Sequence, residues 1–225
     1  MSYPPFPWRL RPSDSAWASV HLVDVGVARQ RIPREFPIVR VWPGKTLGGL
    51  FLVHYGPGSV LEYRELVACA ATVWHGGRIC AWVSHVYVDS AASCRGGREG
   101  LGVPKVLARF QSRTGETGMS VVTRDGHPLC TLRFRRTAGL WRQRIRFFAA
   151  HLHSEAPNRS IVSIHGNELA GRLLLGRADV VLTPDSPLAA LGLGRPLLAL
   201  GIEDAEALFG GAPFLPFHTL PARDT

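Results

Sequence analysis

The sequence predicts a mainly β protein, an antiparallel barrel or sandwich with a few short helices at its periphery. Three observations predict it. Apolar and polar residues alternate with period two in several segments, longer apolar runs fit strands buried on both faces, and Gly or Pro punctuates nearly every gap. No linker, internal repeat or low-complexity tract divides residues 1–225, so a single domain is expected.

Taken in chain order, WASVHLVD (Trp17 to Asp24) alternates as a half-buried strand, and GGLFLVHYG (Gly48 to Gly56) and YRELVACAATVW (Tyr63 to Trp74) are near-continuous apolar runs. RICAWVSHVYVD (Arg78 to Asp89) and PLCTLRFRR (Pro128 to Arg136) alternate again. RQRIRFFAAHLH (Arg142 to His153) fits a strand or a helix. Short helices are expected at Ser90 to Leu101, Pro187 to Leu191 and Glu203 to Phe209. The segment through Trp17 carries Tyr3, Phe6 and Trp8 between prolines that fix an extended path, and is expected to pack near the pocket.

With 46% hydrophobic and 19% charged residues in 225, the chain has ample material for a core. The longest apolar stretch, Leu66 to Trp74, is far below the roughly 20 residues that span a bilayer, so no membrane association is expected. The N-terminus breaks its hydrophobicity with prolines and then turns basic, the reverse of a secretory signal, which reads as cytoplasmic. Cys69, Cys80, Cys94 and Cys130 form no CxxC pair and suggest neither zinc nor disulfides.

A net charge of +9 would suit a nucleic-acid partner, but 24 of the 26 basic residues are arginine, a bias that looks like base composition acting on the surface. The arginines from Arg133 to Arg146 interleave with Phe134 and Trp141, yet alternating arginines on a strand are more often a solvated face, so no nucleic-acid partner is expected.

Familiar signals fail on inspection. PGKT (Pro43 to Thr46) would need a glycine where Val39 stands, and GLGRP (Gly192 to Pro196) lacks the third glycine of a dinucleotide loop. His151 and His153 share a strand face, but spacing nominates no third ligand, so they read as strand-end polar residues and no metal is expected.

One segment carries chemistry. Lys105 lies within Gly-Leu-Gly-Val-Pro and Val-Leu-Ala, with no carboxylate within five positions. A buried ammonium without a local ion pair is pushed toward the neutral amine, a nucleophile for carbonyl carbon. The bland alternative is a lysine whose head snorkels to solvent at a strand edge.

Here the sequence resembles the acetoacetate decarboxylase family. Gly97-Arg98-Glu99 leads through four residues to Pro104-Lys105, Tyr63-Arg64-Glu65 matches the family's Tyr-x-Glu, and Val86-Tyr87-Val88-Asp89 matches the strand before the Gly-Arg-Glu. The similarity is clear from about Leu50 to Phe110. It implies the family's cone-like, barrel-type antiparallel sheet, a Schiff-base lyase with Lys105 as nucleophile, no cofactor, a homo-oligomer, and a small keto acid or other carbonyl substrate. Decarboxylation of a β-keto acid is the first reading. Aldol cleavage or dehydration, or a non-catalytic small-molecule-binding barrel, are the alternatives.

Glu65 is the candidate for proton transfer, or else pairs with an arginine such as Arg98. Arg98 orients Glu99 or a substrate carboxylate, or pairs within its turn. Tyr63, Arg98, Val103 and Val106 are expected to contact substrate. The best-known members carry a second lysine where Val106 stands, an N-terminal arginine to which Arg9 and Arg11 do not align cleanly, and a second glutamate that falls in apolar sequence around Leu50, Phe51 and Leu52. Desolvation by neighbours including Leu101, Val103 and Trp82 must therefore do most of the activation.

Overall fold

A computed structural model describes residues 3–13, 16–112, 118–123, 126–154, 161–210 and 215–219. The strands are β1 (Trp8–Leu10), β2 (Ala16–Asp24), β3 (Lys45–Tyr55), β4 (Tyr63–His75), β5 (Arg78–Val88), β6 (Lys105–Ser112), β7 (Gly118–Thr123), β8 (Pro128–Leu152), β9 (Ile161–Leu182), β10 (Leu198–Phe209) and β11 (Leu215–Thr219). Two helices, α1 (Val25–Arg29) and α2 (Ala91–Leu101), interrupt them. Strands take up most of the described residues, so the protein is mainly β as its alternation predicts. No described helix is long and apolar enough to cross a membrane.

The strands form one sheet in the order β1-β10-β2-β3-β4-β5-β6-β7-β8-β9-β11, and β10 also pairs with β9 and β5 with β8. The pairings from β2 through β3, β4, β5, β8, β9 and β10 thus lead back to β2. The expected antiparallel barrel is overstated, because β5 runs parallel to both β6 and β8 and the sheet is mixed. The cause is local. Helix α2 carries the chain across from the end of β5 to the start of β6, a crossover that brings the next strand back in the same direction.

Local chemistry explains the elements. β4 and β5 meet through Gly76-Gly77, both at positive φ (54° and 77°), the two-residue turn whose twist matches a hairpin. β4 reads as a continuous apolar run because it is buried on both faces. Leu66, Ala68 and Ala70 join one core with Leu50, Val73 and Trp82, while Tyr63 lies in a second core with Trp8, Val53, Val86 and Val88. Ser90 caps α2, its hydroxyl accepting from the Ser93 N–H at 3.3 Å, and Gly102 at φ 69° ends it, its N–H donating to the Arg98 carbonyl.

The helix expected at Ser90 to Leu101 is therefore present, and Ala189–Leu191 forms a short 3-10 turn inside the second expected helix. Glu203 to Phe209 is strand instead. Its EDAEALF sequence favours a helix, but pairing with β9 on one side and β1 on the other overrides that preference. A register break between Glu203 and Glu206, with Asp204 at φ 47°, absorbs the misfit. Arg142 to His153 is settled as strand, part of β8. Its arginines are held by carboxylates, Arg144 and Arg146 by Glu168 and Arg135 by Asp179, which is a solvated, ion-paired face.

Candidate functional site

Strand register brings Lys105 and Glu65 together. Glu65 in β4 lies opposite Val88 in β5, and Lys105, first residue of β6, lies beside Val86 on the other edge of β5. Both long side chains rise over β5 on the same face, and Lys105 Nζ ends 2.7 Å from Glu65 Oε2 with each side chain 7% exposed. The amine also donates to Ser93 Oγ at 2.9 Å and sits 3.5 Å from the Tyr63 hydroxyl. It lies 4.9 Å from the Tyr63 ring centroid and 5.4 Å from that of Trp8, distances at which an aromatic face attracts a cation.

Helix α2 positions this group through its glycines. A side chain at Gly97 would strike the Lys105 stem, one at Gly96 the Trp8 ring, and one at Gly100 the Phe6 ring. The N-terminal segment therefore packs against the helix beside the site, as its prolines and aromatics predict. Phe6 stacks on Trp8 with centroids 4.4 Å apart.

Lys105 and Glu65 border a cavity of about 290 Å³, at the small end of the roughly 300–1,000 Å³ typical of small-molecule sites. Its walls include Tyr63 and Val103 with Phe51, Val83, Leu169 and Leu173. Val106 requires a correction. Successive strand residues face opposite ways, so with Lys105 turned inward Val106 is turned out, 49% exposed and outside the cavity lining. Arg98 is also off the cavity wall; its Nη1 lies 3.5 Å from the Lys105 carbonyl oxygen. Glu65 thus pairs with Lys105 rather than with Arg98. Arg9 and Arg11 are exposed, and Arg11 pairs with Glu206.

Sequence reasoning missed Ser93, His165 and Asn167. Ser163, His165 and Asn167 alternate with apolar residues on β9 and look like a solvent face, yet all three are buried. In the register of the β8–β9 pair His165 lies opposite Ala149 and Ser163 opposite His151, a long-range pairing that no local pattern in β9 reveals. His151, read as a strand-end polar residue, is buried, its ring 5.1 Å from that of His165 in a T-shaped arrangement. Among the described residues no group of three or more His, Cys, Asp or Glu could hold a metal ion. The four cysteines are free thiols, and burial pushes Cys69, on the cavity wall, up to about 12.

The electrostatics follow from burial. The Tyr63 phenol is raised well above its ordinary value by desolvation and then by the Glu65 charge, so it remains a donor. Desolvation and then the Lys105 charge lower His165 to about 4, and desolvation and then His165 lower His151. Both histidines are neutral near pH 7. An unfolded chain protonates such histidines near pH 6.5 while the folded one resists, so stability is full above that pH and falls as pH drops toward 4. For His165 alone the loss should approach roughly 3 kcal/mol. Denaturant unfolding at pH 7, 5.5 and 4.5 checks this. His165→Leu should flatten the profile, and an unchanged slope in that variant would refute the assignment.

Comparison with known proteins gives a consistent picture. Residues 1–212 match the family model described as acetoacetate decarboxylase (ADC). The crystal structure of acetoacetate decarboxylase from Legionella pneumophila is similar with a TM-score of 0.71 and 13% identity, covering 97% of this chain and 90% of that one. The enduracididine biosynthesis enzyme MppR complexed with pyruvate is similar with a TM-score of 0.66 and 17% identity, covering 93% and 90%. In sequence, Protein NEOXANTHIN-DEFICIENT 1 of Oryza sativa subsp. japonica is 40% identical over 104 residues, 46% of this chain and 33% of that protein. Its namesake from Arabidopsis thaliana is 40% identical over 104 residues, 46% and 36%. The chain spans about a third of the length of these curated relatives.

Proposed function

The chain belongs to the acetoacetate decarboxylase family, and from that premise we propose that it is a Schiff-base lyase that breaks the bond one carbon away from the carbonyl of a small substrate. The observation that carries the reading is a lysine amine in an apolar cavity, 2.7 Å from a carboxylate and 2.9 Å from a hydroxyl.

Glu65 is the proton carrier. It accepts a proton from Lys105 Nζ, the free amine adds to the carbonyl carbon, and one further nitrogen proton together with the proton held on Glu65 passes to the departing oxygen, which leaves as water while the last proton stays on nitrogen. The product is an iminium whose positive charge faces the Glu65 carboxylate. That cation draws in the electron pair of a bond one carbon away, so loss of carbon dioxide from a β-keto acid and aldol-type cleavage are both open to it. The resulting enamine is protonated at carbon and hydrolysed, freeing the lysine. Ser93 and Tyr63 hold the nitrogen in place while bonds change.

The test is borohydride trapping with a panel of β-keto acids, ketones and aldol donors, read by intact mass and peptide mapping. Lys45 is the only competing lysine, and it pairs with Asp24 on the surface. A reduced adduct on Lys105 is expected. An adduct on Lys45 alone, or none with any carbonyl compound, would refute the imine. The latter result would favour a second reading, a non-catalytic apolar binding site, which the apolar walls support.

A further inference from the structure

Two features of the cavity bear on what it accepts. The first is charge. Among the described residues on its wall Lys105 is the only lysine or arginine, and the Glu65 carboxylate lies 2.7 Å from its amine. His151 and His165 are held neutral, and Arg9, Arg11 and Arg98 do not line the wall. A carboxylate entering here would lose its hydration without a counter-ion, a cost that excludes acids more strongly than any contact with the apolar walls can offset.

The second feature is a set of buried polar atoms on the β8–β9 wall. His151 Nε2, His165 Nδ1 and Asn167 Oδ1 have no hydrogen-bond partner in the protein, and all three residues line the cavity. His151 Nδ1 lies 3.2 Å from the Leu152 carbonyl oxygen, so the hydrogen of the neutral ring is assigned to Nδ1 and Nε2 is left as an acceptor. Asn167 Oδ1 is an acceptor as well. A buried acceptor without a partner is satisfied by a hydroxyl that donates, and repels a carboxylate, which can only accept.

We propose that His151, His165 and Asn167 form a second binding pole for a hydroxyl group, and that the cavity takes an uncharged hydroxy-carbonyl compound rather than a keto acid. The carbonyl end rests on the imine reading above, while the hydroxyl end does not. Lys105 and the three residues of the second pole line the same cavity, so one small molecule can meet both.

Three matched probes test it: 2-pentanone, 5-hydroxy-2-pentanone and 4-oxopentanoate, each trapped on the full chain with borohydride across a concentration series. The hydroxy ketone should half-saturate at about tenfold lower concentration than 2-pentanone, the worth of one well-made buried hydrogen bond. The oxo acid should do no better than 2-pentanone. In Asn167→Leu the hydroxy ketone should fall to the level of 2-pentanone measured in the same variant. Equal trapping of all three probes, or preference for the oxo acid, overturns the proposal and leaves the imine standing.

A second arm needs no imine. Titration with 1-pentanol should shift the ring-nitrogen NMR signals of His151 and His165, and pentanoate at the same concentration should not. If no probe is trapped, the imine reading fails and this arm alone decides. Ring signals unmoved by 1-pentanol, or moved equally by pentanoate, overturn the second pole.

Discussion

Lys105→Met alone should destabilise the protein by about 3–5 kcal/mol, and Glu65→Leu in the same chain should restore most of that loss. The pair is buried and in contact, with both side chains 7% exposed. Removing the lysine leaves a mostly buried carboxylate without its counter-ion on an apolar cavity wall. Removing the glutamate strands an ammonium in the same place. Removing both leaves an apolar site of similar volume, which folded proteins tolerate well. Urea denaturation of the two single variants and the double variant gives the cycle. Additive losses would mean that the two groups do not depend on each other, and would remove the basis for Glu65 as the lysine's proton carrier.

Gly97→Ala should cut the rate of imine trapping at Lys105 by a factor on the order of 100 while leaving the melting temperature nearly unchanged. An alanine methyl there would stand 2.6 Å from Lys105 Cδ and 2.7 Å from Cε. Packed side chains never approach so closely, and the flexible lysine stem is the part able to yield. Its displacement carries Nζ away from Glu65 and Ser93 by a fraction of an ångström to an ångström. Stability is spared because alanine is favoured over glycine inside a helix by about 0.5–1 kcal/mol, which offsets the crowding. Gly96→Ala is the contrast, since its methyl meets the rigid Trp8 ring at 2.6 Å and should lower the melting temperature instead. Full trapping activity in Gly97→Ala would show that the amine tolerates misplacement and that the helix does not set its position.

The strands of the first half were legible because burial on one or both faces writes itself into period two or into unbroken apolar runs, as in β4 and β5. The Lys105–Glu65 pair was legible only through motif resemblance. They are forty positions apart, and no local pattern says that β5 will lie between them. Val106 was misread because adjacency in sequence was taken as adjacency in space, whereas a strand sends neighbours to opposite faces. His165 and Asn167 were invisible for a related reason, since alternating polar residues look the same whether they face solvent or an enclosed pocket. Glu203 to Phe209 shows the limit of local propensity, because two neighbouring strands decided its conformation.

Strand β10 has a consequence for how the molecule comes into being. It pairs with β1 and β2 on one side and with β9 on the other, and supplies Leu200, Gly201, Ile202 and Phe209 to the cavity wall. Until residues near 209 have left the ribosome, β2 and β9 each present a bare edge of unpaired amides, and the apolar pocket face is open to water. Such an edge recruits other chains as readily as its own. Closure of this protein is thus a late, long-range event in its synthesis, and the hazard of aggregation is concentrated in the interval before β10 arrives.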